Sequence, residues 1–254
     1  MRARLQNLQK TARVAGLAAC AAWGANAALA QGVGDADGGF KLTTGLYQMS
    51  GGGLRSGPGL DVNLRNTSSF GNVWVGRFRA PVLGVNQTRA GWDNSLSTGP
   101  SLRIVPSLQT ASGGFVGGSM YVETGDTWFA GAGLGRTNLR PYSNLNFDPN
   151  DAWTLSAGFR WSGSQSLSLQ VIRDNRLNPD QQHIHLTYRT AMDGDERLTV
   201  DLLSKSGLVS GVPIQRLGLS VAYDWPRYFV RLAYDPKANF TPQDMWRLST
   251  GVRF

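Results

Sequence analysis

Apolar and polar residues alternate along most of the chain with a period of two. Leu60, Val62 and Leu64 interleave with Asp61, Asn63 and Arg65, and Trp153, Leu155, Ala157, Phe159 and Trp161 with Thr154, Ser156, Gly158 and Arg160. Ile184, Leu186 and Tyr188 alternate with His183, His185, Thr187 and Arg189. Leu217, Leu219, Val221 and Tyr223 do the same against Arg216, Gly218, Ser220 and Asp224. Side chains of an extended strand point alternately to opposite faces, so each segment predicts a strand with one apolar side. Turn residues divide the pattern into strands near 40–49, 59–66, 72–80, 85–93, 101–109, 114–123, 126–135, 152–161, 166–174, 181–190, 196–205, 214–224, 227–235 and 244–254. That is about fourteen, an even number as in bacterial single-chain barrels. Pro81 and a poor apolar row between Ala80 and Pro100 leave about twelve as the alternative.

Soluble sandwiches alternate too; three features favour a membrane. Aromatics bracket the apolar rows, with Trp153 and Trp161 eight positions apart, as are Trp246 and Phe254. Eight residues at ~3.3 Å each, tilted near 40°, rise about 20 Å, close to the ~25 Å apolar band between aromatic girdles. The polar rows hold arginines and glycines that a dry core would not accept unpaired. The last strand closes on Phe254 behind an outward row of Trp246, Leu248, Thr250 and Val252. This ending resembles the C-terminal assembly signal of Gram-negative outer-membrane β-barrel proteins. The resemblance implies an all-β fold, a single closed antiparallel transmembrane β-barrel over 40–254, located in the cell outer membrane. It also implies contact with membrane lipid and lipopolysaccharide, and with the barrel assembly machinery through the strand ending in Phe254. With Phe254 at the periplasmic end, the longer segments Arg136 to Asp151, Asn175 to Asp180, Lys205 to Pro213 and Pro236 to Asp244 fall on the outer side.

The start of the chain reads as a secretory leader over 1–30. Arg2, Arg4, Lys10 and Arg13 precede a short apolar stretch from Val14 to Trp23, and Ala28-Leu29-Ala30 fits a cleavage site. A stretch of roughly ten residues is too short to span as a helix. Residues 31–39 then form a short extension. Leu17-Ala18-Ala19-Cys20 also resembles a lipobox, so lipidation at Cys20 is the rival to cleavage after Ala30. Cys20 is the single cysteine, which leaves the mature chain without disulfides, thiol nucleophiles or thiolate metal sites. The formal charge of +8 includes four leader cations and falls to 8 − 4 = +4 without them, too little to argue for nucleic acid.

The polar rows are rich in arginine. Arg65, Arg77, Arg79, Arg103, Arg160, Arg189, Arg216, Arg231, Arg247 and Arg253 are assigned lumen-facing parity. A guanidinium grips carboxylate or phosphate through two parallel bonds, and rings of basic groups select anions. In plan this resembles small arginine-lined monomeric porins for acidic sugars. The leading reading is a monomeric pore for small anionic or polar solutes, with Arg103, Arg160, Arg189, Arg216, Arg231 and Arg247 as lumen ligands and Trp153, Trp161, Trp246 and Phe254 as membrane girdle. Solutes would enter past the 136–151 loop, whose Tyr142 and Phe147 are candidate contacts for a polysaccharide or receptor. Acids on the same face (Asp61, Glu123, Asp201, Asp224 and Asp235) leave a plugged structural or assembly barrel as the alternative. A third reading is a lipid hydrolase or deacylase using His185, with Thr187 two residues on as a hydroxyl to activate. No cofactor is expected, and a metal on His183 and His185 would need a carboxylate such as Asp201 to complete it. Gly131-x-Gly133-x-Gly135 lies inside a strand, so it reads as making room in the lumen rather than as a nucleotide fingerprint.

Overall fold

The computed structural model describes residues 39–254 except Leu54, Arg55, Pro100, Phe147 and Ser164; the leader, Cys20 and residues 31–38 lie outside the described residues. The strands are β1 (Gly39–Ser50), β2 (Gly57–Ser68), β3 (Gly71–Ala80), β4 (Val85–Asp93), β5 (Leu96–Ser97), β6 (Leu102–Ala111), β7 (Phe115–Gly125), β8 (Trp128–Thr137), β9 (Ala152–Ser162), β10 (Gln165–Asp174), β11 (Gln182–Ala191), β12 (Arg197–Val209), β13 (Val212–Asp224), β14 (Tyr228–Asp235) and β15 (Asp244–Arg253). Apart from β4 and β5, which both pair with β6, each pairs antiparallel with its neighbour in sequence, and β1 closes on β15. The two-residue β5 continues β4 past Asn94-Ser95 along the same partner, β6. The barrel therefore has fourteen staves. The doubtful region resolves into two of them, because Pro81–Leu83 forms a single 3-10 turn between β3 and β4 instead of running on.

Closure leaves no unpaired edge. It is sealed at the seam by Phe40 N–H donating to the Phe254 carbonyl at 2.7 Å and Phe254 N–H returning to Phe40 at 2.9 Å. The Phe254 end carries mostly short turns; the opposite, far end carries the long segments 138–151 and 236–243. One expected far-end loop is absent. From Lys205 to Pro213 the ladder runs on to Val209 opposite Val212, and Ser210 and Gly211, both at positive φ, turn the chain in two residues. A turn of that hand matches the twist of its flanking strands, so the hairpin extends rather than loops.

The outside is apolar around the circumference: Leu46, Leu60, Val75, Leu108, Val116, Leu134, Leu155, Leu169, Leu186, Leu202, Leu219 and Leu248 are all exposed there. An apolar surface continuous around a whole barrel is a lipid-facing surface. Trp161 lies toward the Phe254 end, in edge contact with Phe159 and Tyr188; Trp153 and Trp246 lie toward the far end. Arg77 and Arg79 are corrected to this outer face. They are exposed in line with Val73 and Val75, whereas Asn72, Trp74, Gly76 and Phe78 point inward. Both rows of β3 mix apolar and polar residues, so alternation alone does not say which is inside.

Glycines decide that choice. The Trp74 ring occupies the space beside Gly91, Phe78 that beside Gly59, Tyr121 that beside Gly131, Phe129 that beside Gly158, and Phe229 that beside Gly251. Inward aromatics on one stave thus seat in glycine sockets on the next, which is the room that Gly131 was expected to provide. Gly251→Ala is predicted to destabilise the barrel by about 1–3 kcal/mol, because its methyl meets the Phe229 ring and nothing there is free to move. Urea unfolding in detergent micelles measures this, and an unchanged midpoint would contradict the socket.

Candidate functional site: the lumen and its infolded loop

The 138–151 segment does not lie over the far mouth. It folds into the barrel, where Tyr142, Asn144, Leu145, Asp148, Asn150 and Asp151 are buried. Its end is anchored where Thr137 donates to Asp151 from its amide (3.1 Å) and hydroxyl (2.6 Å), with Arg176 on the same carboxylate at 3.0 Å. Farther along, Gln87 brackets Ser143, donating to its carbonyl (3.1 Å) and accepting from its amide (2.8 Å). Arg247 donates to the Leu145 carbonyl at 2.9 Å. Tyr142, expected as a solute contact, instead stacks on Phe115 with centroids 4.2 Å apart. Burial and then the facing Arg89 act on its phenol, with burial prevailing and raising its pKa. Phe147 lies outside the described residues.

A second segment, 236–243, turns in beside the first. Lys205, fully buried, donates to Asp235 (2.5 Å) and to the Pro236 carbonyl (3.2 Å), and Asn239 donates to the Asn144 carbonyl (3.0 Å). Together the segments narrow the far half of the lumen and enclose a cavity of about 170 Å³ lined by Phe78, Leu83, Val85, Leu145 and Met245 among others.

Below the loop, most lumen cations are ion-paired. Arg65 pairs with Asp93 (3.3 Å) and Arg253 with Asp224 (2.6 Å). Glu123 bridges Arg103 (3.0 Å) and Arg160 (2.5 Å), and Arg160 also lies 3.8 Å over the Phe129 ring. Two guanidiniums differ. Arg189 on β11 and Arg231 on β14 face inward and have no carboxylate within ion-pair distance among the described residues, Asp224 acting on both only from farther off. Arg216 shares the inward parity of β13 but is exposed, with its Nη1 on the Gln215 carbonyl. It stands opposite Lys205 on the β12–β13 hairpin near the far rim, open to solvent and not buried with the other inward arginines.

Arg89 was missed. It projects from β4 onto Asp61 at 2.7 Å, with both side chains buried. The weak apolar row of β4 hid its parity; the signal was the i, i+2 run Gln87, Arg89, Gly91, Asp93. Breaking a buried pair strands the other charge at roughly 3–5 kcal/mol. Arg89→Ala is therefore predicted to lower the unfolding midpoint more than Arg65→Ala, whose side chain is 17% exposed. Equal losses in the two variants would contradict this.

The histidines of β11 meet the loop. Asp148 Oδ1 lies 2.7 Å from His183 Nδ1 and 3.1 Å from His185 Nε2. Burial pushes the Asp148 carboxyl up, but His185 and His183 together outweigh it and hold its pKa below the usual carboxylate range. On its other side His185 Nδ1 meets Asp201 at 2.9 Å, and Thr187 donates its hydroxyl to that same carboxylate at 2.9 Å. The Thr187 hydroxyl is thus bonded to Asp201 and not to an imidazole. The arrangement that the hydrolase reading requires, a histidine taking the proton of a hydroxyl, is not formed by these residues.

No protein-family model matches the sequence, and neither does any curated protein. Solved structures do match in fold. The outer membrane protein Omp33 of Acinetobacter baumannii superposes with a TM-score of 0.52 at 10% identity, over 85% of this chain and 98% of that one. The CymD monoaromatic hydrocarbon channel gives 0.49 at 10% identity, over 85% and 87%, and the KdgM porin 0.46 at 10% identity, over 84% and 99%. At such identity the likeness to Omp33 extends to the fold alone, a closed barrel of the outer-membrane type.

Proposed function

We propose that this barrel is a small monomeric outer-membrane channel passing anionic or polar solutes, with Arg189 and Arg231 as the groups those solutes meet. The observation that carries this reading is the contrast inside the lumen. Arg65, Arg89, Arg103, Arg160 and Arg253 are each held by a carboxylate, while Arg189 and Arg231 are not. Cations without a direct ion pair, in a channel walled by low dielectric, concentrate anions and repel cations. The infolded loop sets the size of what passes.

In this reading Trp161 and Phe254 form one girdle and Trp153 and Trp246 the other. Arg77 and Arg79, exposed toward the far rim, suit the phosphates of lipopolysaccharide, and the strand ending in Phe254 is what the assembly machinery engages. Single-channel recording in planar bilayers tests the channel. A reversal potential of anion-selective sign across a salt gradient is expected; the absence of any conductance would leave the plugged structural barrel.

A further inference from the structure

We propose that Asp148, His183 and His185 form a divalent-metal site, suited to zinc, that fastens the infolded loop to the barrel wall. It is independent of whether the pore prefers anions.

His183 and His185 lie two apart on β11, which turns both rings to the lumen side of one strand. Two imidazoles on a strand are not a site in themselves. The third group arrives from far away in sequence, when the 138–151 segment folds in and delivers Asp148 between them. One ligand atom from each of the three residues lies within 4.8 Å of the others, and all three side chains are buried. Asp148 Oδ1 stands 2.7 Å and 3.1 Å from the two ring nitrogens. Zinc bonds nitrogen and oxygen at ~2.0–2.1 Å, so neighbouring ligand atoms of a tetrahedral ion sit roughly 3.3 Å apart. The two distances to Asp148 are each within an ångström of that spacing, and the two ring nitrogens, within 4.8 Å of one another, close on the ion by ring rotation.

What stands behind the ligands argues for an ion as well. Nδ1 of His185 faces Asp201, and Asp201 is held in turn by Thr187. A metal-binding histidine characteristically gives its second ring N–H to a carboxylate, which orients the ring and makes the free nitrogen a better donor. His183 is oriented by packing, stacked on Phe240 at 5.2 Å and 19°. Two nitrogens and a carboxylate suit zinc more than magnesium or calcium, which prefer oxygen. The nearby ammonium of Lys205 does not oppose the ion unchecked, because Asp235 pairs with it at 2.5 Å. Asp201, a quarter exposed, faces the open lumen and gives a cation an acidic approach.

The test uses the folded barrel in detergent, purified without a polyhistidine tag and stripped with chelator. Calorimetric titration with zinc is expected to give one site per chain, and titration with cobalt the intense visible bands of a tetrahedral ion. His183→Ala, His185→Ala and Asp148→Ala should each weaken zinc binding by about a hundredfold or more. Asp201→Asn, which leaves the ligands in place, should cost about tenfold to a hundredfold and keep the cobalt spectrum. Folding of every variant is checked by its slower gel migration after boiling than before. If zinc binds no better to the parent than to His183→Ala, or binds Asp148→Ala equally well, the site as proposed does not exist. A pale, octahedral cobalt spectrum would overturn it too.

Discussion

Replacing Arg189 and Arg231 together by glutamine removes most of the anion preference of the channel. Two unit charges 7 Å apart interact by about 0.6 kcal/mol even at the dielectric of water, close to RT at room temperature. Each uncompensated guanidinium thus raises the local anion population by a factor near three, and the pair by about sevenfold at ionic strengths where screening lengths exceed that distance. The reversal potential of the double variant in a dilute salt gradient should therefore fall most of the way to zero. Arg216→Gln, which alters an exposed group on the β12–β13 hairpin, should leave it nearly unchanged. The fold should tolerate the double replacement, since neither guanidinium has an ion pair to lose. A reversal potential equal to that of the parent would remove these two residues from the function proposed.

Shortening the infolded loop should have the second large effect. Fourteen strands spaced ~4.8 Å apart and tilted near 40° form a barrel about 14 Å in Cα radius. Side chains leave a lumen of roughly 200 Å², and a segment that enters and returns, about 10 Å by 10 Å in section, fills near half of it. Replacing residues 140–149 by a short Gly-Ser linker, with Asn138 and Asp151 kept as anchors, is expected to raise single-channel conductance about twofold. Thr137 and Asp151 are hydrogen-bonded to each other, so a short linker bridges the gap. Stability should fall a little, as Arg247 loses the Leu145 carbonyl and both histidines lose Asp148. Unchanged conductance would show that the constriction lies elsewhere.

The sequence alone determined the strands, because alternation is a local property and survives without any knowledge of the neighbours. The fourteen expected segments match the fourteen staves, and the rows containing Leu60, Leu155, Leu186 and Leu219 face outward as expected. Where the local signal was ambiguous, the reading failed. In β3 both rows mix apolar and polar residues, and only the glycine sockets at Gly59 and Gly91 show that Phe78 and Trp74 belong inside and Arg77 and Arg79 outside. The site itself was half legible. Arg189 and Arg231 follow from parity, but that Glu123 bridges Arg103 and Arg160, or that Arg89 meets Asp61, depends on which staves adjoin and how far side chains reach. Least legible was the loop. Its Asn144, Asp148, Asn150 and Asp151 have the composition of a solvent-facing segment, yet they are buried: the wall supplies partners for Asp148 and Asp151, and the loop's own backbone supplies them for Asn144. Asp148 finds its histidines 35 and 37 residues away. A strand's two faces are written in its own residues; the partner of a buried polar group is chosen by the closed barrel, which alone brings distant residues within hydrogen-bonding distance.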